Sequence, residues 1–180
     1  KPAPKLTEKH LKPSHFDKMK VSTALTVFSH SVSCAISLLV NSGVLGEQAL
    51  TTSWFITLMN RWFDLMSSRC STTALSQFNL EQYSAALDLL NTIVDVFNGL
   101  SIGCAPVRWK PVQTGIILST LSIIDLQNYF LNARNYNYLL TARFTQDCLE
   151  NLFSCVRRRN PVPTPLDFKN ALRAVSVSQY

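Results

Sequence analysis

Two carboxylates lie close together in a segment near the C-terminus, residues 144–159, that has the pattern of an amphipathic helix. Asp147 and Glu150 are three residues apart and share one side of that helix, and acids this close together invite a chemical role. The same spacing is typical of a solvated helix face, with acids early and arginines late as the helix dipole favours. Spacing alone favours the solvated face. The opposite side is apolar and consists of Leu149, Leu152, Phe153 and Val156.

A second set of polar side chains forms a stripe on the helix predicted over residues 54–69. Asn60, Asp64 and Ser67 follow the spacing i, i+4, i+7, so they line up on one side of it. The neighbouring face is apolar and contains Trp62 and Phe63. A stripe that points outward is ordinary surface. A stripe that faces a cleft is able to hold hydrogen-bonding groups of a ligand.

Composition limits the class of protein. The 180 residues suit one domain with an appendage. With 47% hydrophobic and 16% charged residues, the chain is more apolar than an average soluble domain, so we expect part of its apolar surface to bind a partner. The net charge of +6 comes from lysines near the start and arginines near the finish, which suits phosphates or an acidic protein. We expect no membrane span, because the apolar run 24–40 is interrupted by His30 and several serines and is better explained as a buried helix.

Several chemistries are disfavoured by the motifs that the sequence lacks. It contains no GxxxxGK[ST] loop, no GxGxxG and no HExxH, so the usual phosphate cradles and zinc-protease site are missing. The three histidines all precede residue 31, which disfavours histidine-based hydrolysis. The five cysteines have no CxxC pairing and resemble the reduced thiols of an intracellular protein.

The pattern of caps and apolar positions predicts an all-α protein, a helical bundle of about five to six helices. Residues 1–13 are basic and proline-rich and are expected to form a linker. Strand alternation is not evident anywhere, and residues 104–111, with Arg108 and Lys110, are expected to form an exposed loop. The predicted helices cover residues 16–40, 54–69, 80–97, 112–133, 144–159 and 165–174. Gly43 is expected to stop the first of them, and Asn79 and Thr164 are expected to cap the third and the last.

Four separated blocks of the sequence carry a resemblance to a known family. They comprise Phe16–Val21 with Val27–Val32, Thr52–Phe55 with Asn60–Arg69, Lys110–Ile116, and Leu139–Phe153 with Pro163–Phe168. In order and residue type these blocks resemble the P element transposases and their THAP-domain relatives, from residue 13 to about residue 174.

The resemblance implies a part of a nuclear DNA enzyme whose RNase H-like catalytic domain is interrupted by a helical insertion that binds GTP. Residues 14–140 look like that insertion, and residues 141–180 like the C-terminal part of the catalytic domain. By resemblance Glu150 matches the third metal-binding carboxylate of the catalytic trio, so Mg²⁺ is expected only in a complete catalytic site. The sequence before Glu150 contains no recognisable domain to provide the other two acids.

The same resemblance implies where GTP binds. Asp64 and Asp147 match acids of the family, Ser67 stands where the family usually has Asn, and Lys18 or Lys20 would face the phosphates. A carboxylate is able to accept both the N1 and N2 hydrogens of guanine, and a lysine neutralises phosphate charge.

The resemblance therefore implies a guanine-nucleotide-binding module of a P element-like DNA transposase, present as a fragment or a domesticated remnant and inactive as an enzyme by itself. Its expected partners are a guanine nucleotide, DNA in the full-length protein and a second copy of the chain, with a nuclear location and no membrane. The alternative is a non-catalytic helical protein-interaction domain, in which Glu150 is only a surface acid.

Overall fold

The computed structural model describes residues 2–103, 110–158 and 160–178, and these residues are mostly helical, which confirms the all-α class. The predictions for residues 104–109 and for Arg159 lie outside the described residues. The helices are α1 (Glu8–Leu11), α2 (His15–Lys18), α3 (Val21–Val27), α4 (His30–Asn41), α5 (Ala49–Met66), α6 (Leu80–Gly99), α7 (Pro111–Gln127), α8 (Asp147–Arg157) and α9 (Pro165–Ser178). A π-helical turn (Asn128–Ala133) continues α7, and a 3₁₀ turn (Thr141–Phe144) precedes α8.

Two short strands, which the sequence did not predict, pair in antiparallel fashion. They are β1 (Leu75–Ser76) and β2 (Tyr138–Leu139), with Leu75 opposite Leu139. Both leucines are buried in one core cluster with Leu90, Ile123 and Leu131. The pairing therefore ties the loop after α5 to the segment that leads into α8. Strands this short depend on their buried side chains for stability.

The N-terminal part differs from the single long core helix predicted over residues 16–40. It is divided into α2, α3 and α4, and the backbone is extended at Ser29, where α4 begins. The side chain of Asn60 accepts a hydrogen bond from the backbone N–H of His30 at 2.6 Å, so α5 supplies the missing partner at this helix start. The predicted stop at Gly43 is confirmed, since this glycine has a φ of 73° after the end of α4.

The apolar run in α3 and α4 is mostly not buried, so the prediction of a buried helix was wrong for it. Length and composition would allow Val21–Asn41 to cross a membrane, with a mean hydropathy of 1.6, and only 17% of that window is buried. One stretch of this kind is weak evidence for a span. Phe28 and Ser29 interrupt the helix in the middle of it.

Hydroxyl groups join α4 to α5. The Ser33 and Ser53 hydroxyls lie 3.0 Å apart in the buried contact, and Ser53 Oγ also donates to the carbonyl of Ser33 at 2.9 Å. Thr57 Oγ1 lies 2.5 Å from Ser33 Oγ and donates to the carbonyl of Ser53. Small side chains let the two helices approach closely, and their hydroxyls satisfy one another in a place where an unpaired polar group would be costly.

Helix α7 carries a buried polar seam, formed by Gln113, Thr120 and Gln127 at intervals of seven residues. Thr120 Oγ1 accepts from Trp62 Nε1 of α5 at 2.9 Å, and Gln127 accepts from the Tyr83 hydroxyl of α6. Two helical turns separate successive members, so the seam runs along one side of α7. Each bond requires a particular partner, and the seam therefore fixes the register of α7 against α5 and α6.

Gln113 satisfies the end of α6. Its Nε2 donates to the carbonyl of Leu100 at 2.7 Å, and its Oε1 accepts from the backbone N–H of Lys110 at 2.8 Å. We expect Gln113→Glu, which keeps the size but removes the donor, to lower the free energy of unfolding by about 2 kcal/mol or more, because a buried carbonyl and a buried carboxylate then face each other. Urea denaturation measures this loss.

The matched control for Gln113→Glu is Gln48→Glu, which adds the same charge at an exposed position before α5. An unchanged unfolding midpoint in Gln113→Glu would show that the seam does not contribute to stability.

Candidate functional site

The predicted stripe on α5 lies at its C-terminal end. Asn60 Nδ2 donates to Asp64 Oδ2 at 2.6 Å, so the amide that closes the start of α4 also orients the Asp64 carboxylate. Ser67 directly follows α5 and donates to the carbonyl of Phe63 at 2.6 Å. Asp64 is exposed and Ser67 is partly buried. Asn60 thus has a structural role, and Asp64 and Ser67 remain for a ligand.

A buried threonine connects the end of α5 to the segment before α8. Thr141 Oγ1 donates to the carbonyl of Leu65 at 2.5 Å and accepts from the backbone N–H of Ser68 at 3.0 Å. A third bond runs from the backbone N–H of Ala142 to the carbonyl of Ser68 at 3.1 Å. We call this set of bonds the Thr141 clamp. It joins parts of the chain separated by more than 70 residues and satisfies backbone groups that the end of α5 leaves unpaired.

An ion pair forms next to the Thr141 clamp. Arg69 Nη2 contacts Asp147 Oδ2, the first residue of α8, across 78 positions of the chain. The Arg69 side chain is 75% exposed and that of Asp147 is 49% exposed. A pair this exposed contributes about 1 kcal/mol or less to stability. Its main effect is to place a cation beside a predicted ligand acid.

A cavity next to these residues has a volume of about 810 Å³ and lies between α3, α5, α7 and the start of α8. Ser67, Arg69 and Asp147 line it, together with hydroxyls of α7 and of the 3₁₀ segment. Its aromatic and apolar walls include Val21, Leu25, Trp62, Phe63, Met66 and Phe144. The volume is in the range of small-molecule sites, and apolar walls with a few polar groups are typical of them.

Asp64 lines a different, neighbouring cavity of about 650 Å³, which also contains Arg61 and Cys70. Ser67 and Arg69 line both cavities, so they form a ridge between the two. The two acids assigned to guanine by resemblance, Asp64 and Asp147, therefore lie on opposite sides of this ridge. The structure brings them to the same end of α5 but not into a single cavity.

The two predicted lysines lie before α3. Lys20 Nζ is 3.7 Å from Asp17 Oδ1, and Lys20 directly precedes Val21, which lines the larger cavity. The hydroxyl of Ser14, which donates to Asp17 at 2.7 Å, is the main cause that holds the pKa of that carboxyl below its usual value. Lys18 is exposed at the end of α2. Of the two predicted lysines, Lys20 is therefore the one that lies directly next to the larger cavity.

Glu150 is exposed on α8 and lines a third cavity of about 480 Å³ with Arg69, Arg143 and Asp147. In the described part of the chain, no group of three or more His, Cys, Asp or Glu side chains is placed to hold a metal ion. A site for two cations requires several carboxylates, so these residues by themselves do not fit the Mg²⁺ centre. The metal role of Glu150 remains a prediction about a larger assembly.

Sequence reasoning missed Arg69, Thr141 and the aromatic wall. Arg69 was expected only to end a helix, and its partner Asp147 is too distant in the chain for any spacing rule to connect them. Phe144 was expected only to begin a helix, whereas it lies in the 3₁₀ turn and lines the larger cavity. Partly buried Trp62 was placed on an apolar face correctly, but the cavity that it lines also needs α7.

Comparisons with known proteins relate this chain to transposases. Residues 1–78, which include Lys18, Lys20, Asp64 and Ser67, match the family described as "TNP-like, GTP-binding insertion domain". Over 175 residues the chain is 33% identical to the transposable element P transposase of Drosophila melanogaster, covering 94% of this chain and 23% of that protein. It also resembles a chain of the Drosophila P element transposase strand transfer complex, with a TM-score of 0.77 and 30% identity.

That structural similarity covers 96% of this chain and 40% of the other. Together these findings support a relation to the P element transposase family and its GTP-binding insertion domain. The chain spans about a quarter of the length of the curated relative. The predicted boundaries 14–140 and 141–180, the THAP relation and the RNase H-like part remain predictions.

The Thr141 clamp generates a test of how the site is positioned. Thr141→Val keeps the shape but leaves the Leu65 carbonyl and the Ser68 N–H without their partner, so we expect a loss of about 1–3 kcal/mol in the free energy of unfolding. Thr141→Ser retains the hydroxyl and is expected to lose clearly less. Urea denaturation of both variants measures the difference, and a larger loss in Thr141→Ser than in Thr141→Val would show that the methyl group matters more than the hydrogen bonds.

The rim of the Asp64 cavity holds an exposed thiol with altered acidity. Hydrogen bonds from the Thr72 and Thr73 hydroxyls lower the pKa of Cys70 from 9.0 to about 7, because they stabilise the thiolate. We therefore expect the alkylation rate of Cys70 to rise with pH around a midpoint near 7, and Thr72→Val to move that midpoint upward.

Mass spectrometry of iodoacetamide-treated protein reports alkylation of Cys70 separately from that of Cys34, which does not contact Thr72 and serves as an internal reference. A midpoint near 9 in the unchanged protein would contradict the role of the two threonines.

Proposed function

We propose that this chain is a guanine-nucleotide-binding helical module of a P element-like DNA transposase. The observation that carries the proposal is the match of residues 1–78 to a GTP-binding insertion domain. In the structure, α5 ends between two cavities, and each of them is lined by a carboxylate. The four predicted ligand residues before position 78 lie in the matched part. Asp147 comes from outside it and reaches the cavity through the Thr141 clamp.

The larger cavity has the chemistry that guanine requires. Trp62, Phe63 and Phe144 supply flat apolar walls for a base, and the Asp147 carboxylate is a double acceptor at the edge of the same space. Guanine presents two N–H donors at N1 and N2 to such a carboxylate, whereas adenine presents a bare N1 that repels it. The Asp147 carboxylate therefore favours GTP over ATP.

The phosphates of the nucleotide need cations close to the cavity. Arg69 lines it directly, and Lys20 precedes Val21 on its wall, with Lys18 two residues earlier. Arg69 is paired with Asp147 before a ligand binds, so the nucleotide would exchange that contact for contacts to base and phosphate. An exposed pair of this kind costs little to break.

We further propose that Glu150 belongs to the metal site of the larger transposase, with DNA as substrate and the nucleus as its location. The support is the similarity to a transposase that extends well beyond this chain, together with the exposure of Glu150. When bound, Mg²⁺ would supply charge stabilisation for phosphoryl transfer. Within this chain Glu150 is one carboxylate available to a site completed elsewhere.

We expect calorimetry on the 180-residue chain to show saturable GTP binding that is at least about tenfold tighter than ATP binding. The difference in affinity corresponds to the charge-assisted hydrogen bonds that Asp147 makes with guanine and not with adenine. Asp147→Asn should lose GTP and gain xanthosine triphosphate, because the amide donates to the oxygen at xanthine C2. Asp64→Ala tests the ligand role that the resemblance gives to Asp64: weaker GTP binding would support that role, and unchanged binding would restrict the nucleotide to the larger cavity.

The control variant is Asp95→Asn, an exposed acid on α6 whose neighbours along the helix line neither cavity. If millimolar GTP gives no heat with the unchanged chain, the nucleotide role fails.

A protein-interaction domain is the second candidate, and one observation favours it. Leu149 is 57% exposed and Phe153 is 45% exposed on α8, a helix that contacts α9 and the 3₁₀ turn and leaves this apolar side uncovered. Sedimentation at rising protein concentration would show self-association through this side, and Leu149→Lys would abolish it.

A further inference from the structure

We propose that a cluster of exposed rings at the end of α7 binds single-stranded nucleic acid by stacking unpaired bases on Tyr129 and Tyr136. This surface, which we call the aromatic turn, is formed by Tyr129, Phe130, Arg134 and Tyr136. It lies outside the candidate nucleotide cavities, and it does not depend on the proposed binding of GTP.

The rings of the aromatic turn are held in place before any ligand arrives. Phe130 packs against the core cluster, and the centroids of Tyr129 and Tyr136 lie 5.2 and 5.3 Å from its own, at interplanar angles of 81° and 73°. Tyr129 is 48% exposed and Tyr136 is 58% exposed. The backbone N–H of Tyr136 donates to the carbonyl of Phe130 at 2.9 Å. The two tyrosines therefore present ring surface to solvent from a fixed support, which lowers the entropic cost of stacking.

A π-helical turn brings a cation to the same place. Residues five apart are neighbours in this geometry, and Arg134 Nε and Nη2 donate to the Tyr129 hydroxyl at 3.1 and 2.8 Å. The guanidinium carbon lies 5.1 Å from the Tyr129 ring centroid. Within the described residues Arg134 has no carboxylate partner. A planar cation fixed beside a ring suits the contact with a phosphate next to a stacked base.

The charge of the segment favours a polyanion. Between Leu126 and Gln146 the sequence contains Arg134 and Arg143 and no Asp or Glu, and the acids that flank this segment are exposed Asp125 and Asp147, which is paired with Arg69. A row of exposed amides lies beside the rings: Gln77 Nε2 donates to Asn132 Oδ1 at 2.5 Å, and Asn132 Nδ2 donates to Asn128 Oδ1 at 3.0 Å. Amides offer both donors and acceptors, which match the edges of unpaired bases.

The rings distinguish between single and double strands. In a duplex each base is already stacked between its neighbours, so its flat face is not available to a tyrosine. An unpaired strand offers both the base faces and the phosphates that the aromatic turn matches. An acidic peptide would match Arg134 but would leave the two rings without a specific partner. The observations therefore favour a single strand.

The test uses the whole 180-residue chain and fluorescence anisotropy with labelled oligothymidylate of about 15 nucleotides, a length that spans several stacking positions. The matched probe is an abasic strand of the same length, which has the phosphates without the bases. We expect the thymidine strand to bind at least about tenfold more tightly than the abasic strand and the corresponding duplex. An oligouridylate arm determines whether RNA binds as well as DNA.

Tyr136→Ala should weaken binding of the thymidine strand about tenfold and leave the abasic strand unchanged. Tyr129→Ala should weaken the thymidine strand at least as much and also weaken the abasic strand, because Arg134 loses the hydroxyl that holds it. Arg134→Gln should weaken both strands. The control is Trp54→Ala, which removes an exposed aromatic side chain at the other end of the bundle, on α5. Circular dichroism identifies variants that have lost their fold, and the heat of GTP binding identifies variants that have lost their nucleotide site. Failure of the single-strand proposal can therefore be distinguished from failure of the GTP proposal.

A second measurement needs no variant. A strand with 5-iodouracil, crosslinked by light to the unchanged chain, should give peptides modified at Tyr129 or Tyr136 in mass spectra. Equal affinity for the thymidine and abasic strands, crosslinks only at the lysine-rich N-terminal residues, or full competition by polyglutamate would each overturn the proposal.

Discussion

The Thr141 clamp is the constraint on which the candidate site depends. Its bonds to Leu65 and Ser68 close the end of α5 and fix the start of the segment that carries Asp147. The Arg69–Asp147 ion pair is too exposed to hold two distant parts of the chain together by itself. Buried hydrogen bonds contribute about 1 kcal/mol each when they are made and cost about 1–3 kcal/mol when a partner is left unpaired. The threonine therefore positions the acid, and the ion pair only orients it.

The polar seam of α7 fixes the position of the opposite wall of the larger cavity. Ser119 and Ser122, which line the larger cavity, are three residues apart and share a face of α7 next to seam residue Thr120. Because Thr120 must meet Trp62, α7 cannot slide or rotate without breaking a buried bond. An apolar helix without this seam would have no preferred rotation, since α7 is apolar on most of its sides. The buried polar groups therefore specify an orientation.

Local signals were sufficient for much of the fold. Asn79 was expected to cap α6 and does so, accepting from the backbone N–H groups of Glu81 and Gln82. Thr164 was expected to cap α9, and its hydroxyl accepts from the backbone N–H of Asp167, whose carboxylate in turn accepts from the backbone N–H of Thr164. Caps and periodicity act over a few residues, so the sequence displays them directly.

Contacts between distant parts of the chain could not be predicted from caps and periodicity. The pairing of β1 with β2 and the ion pair of Arg69 with Asp147 join positions that no periodicity relates. The break at Ser29 depends on Asn60, a residue of another helix, so the pattern of α3 and α4 by itself reads as one helix. The resemblance to transposases supplied the grouping of site residues that periodicity did not, yet it gave no indication of the ridge at Ser67.

Asp147 and Glu150 show why three-residue spacing is ambiguous. Both acids line the cavity of about 480 Å³, so they do share a side of α8. Only Asp147 also lines the larger cavity, because it stands at the first turn, where α8 leaves the bundle. One helical turn therefore separates a carboxylate that reaches the larger cavity from one that does not. Any shift of α8 that a ligand at Asp147 produces must move Glu150 with it, since the two share a rigid helical turn.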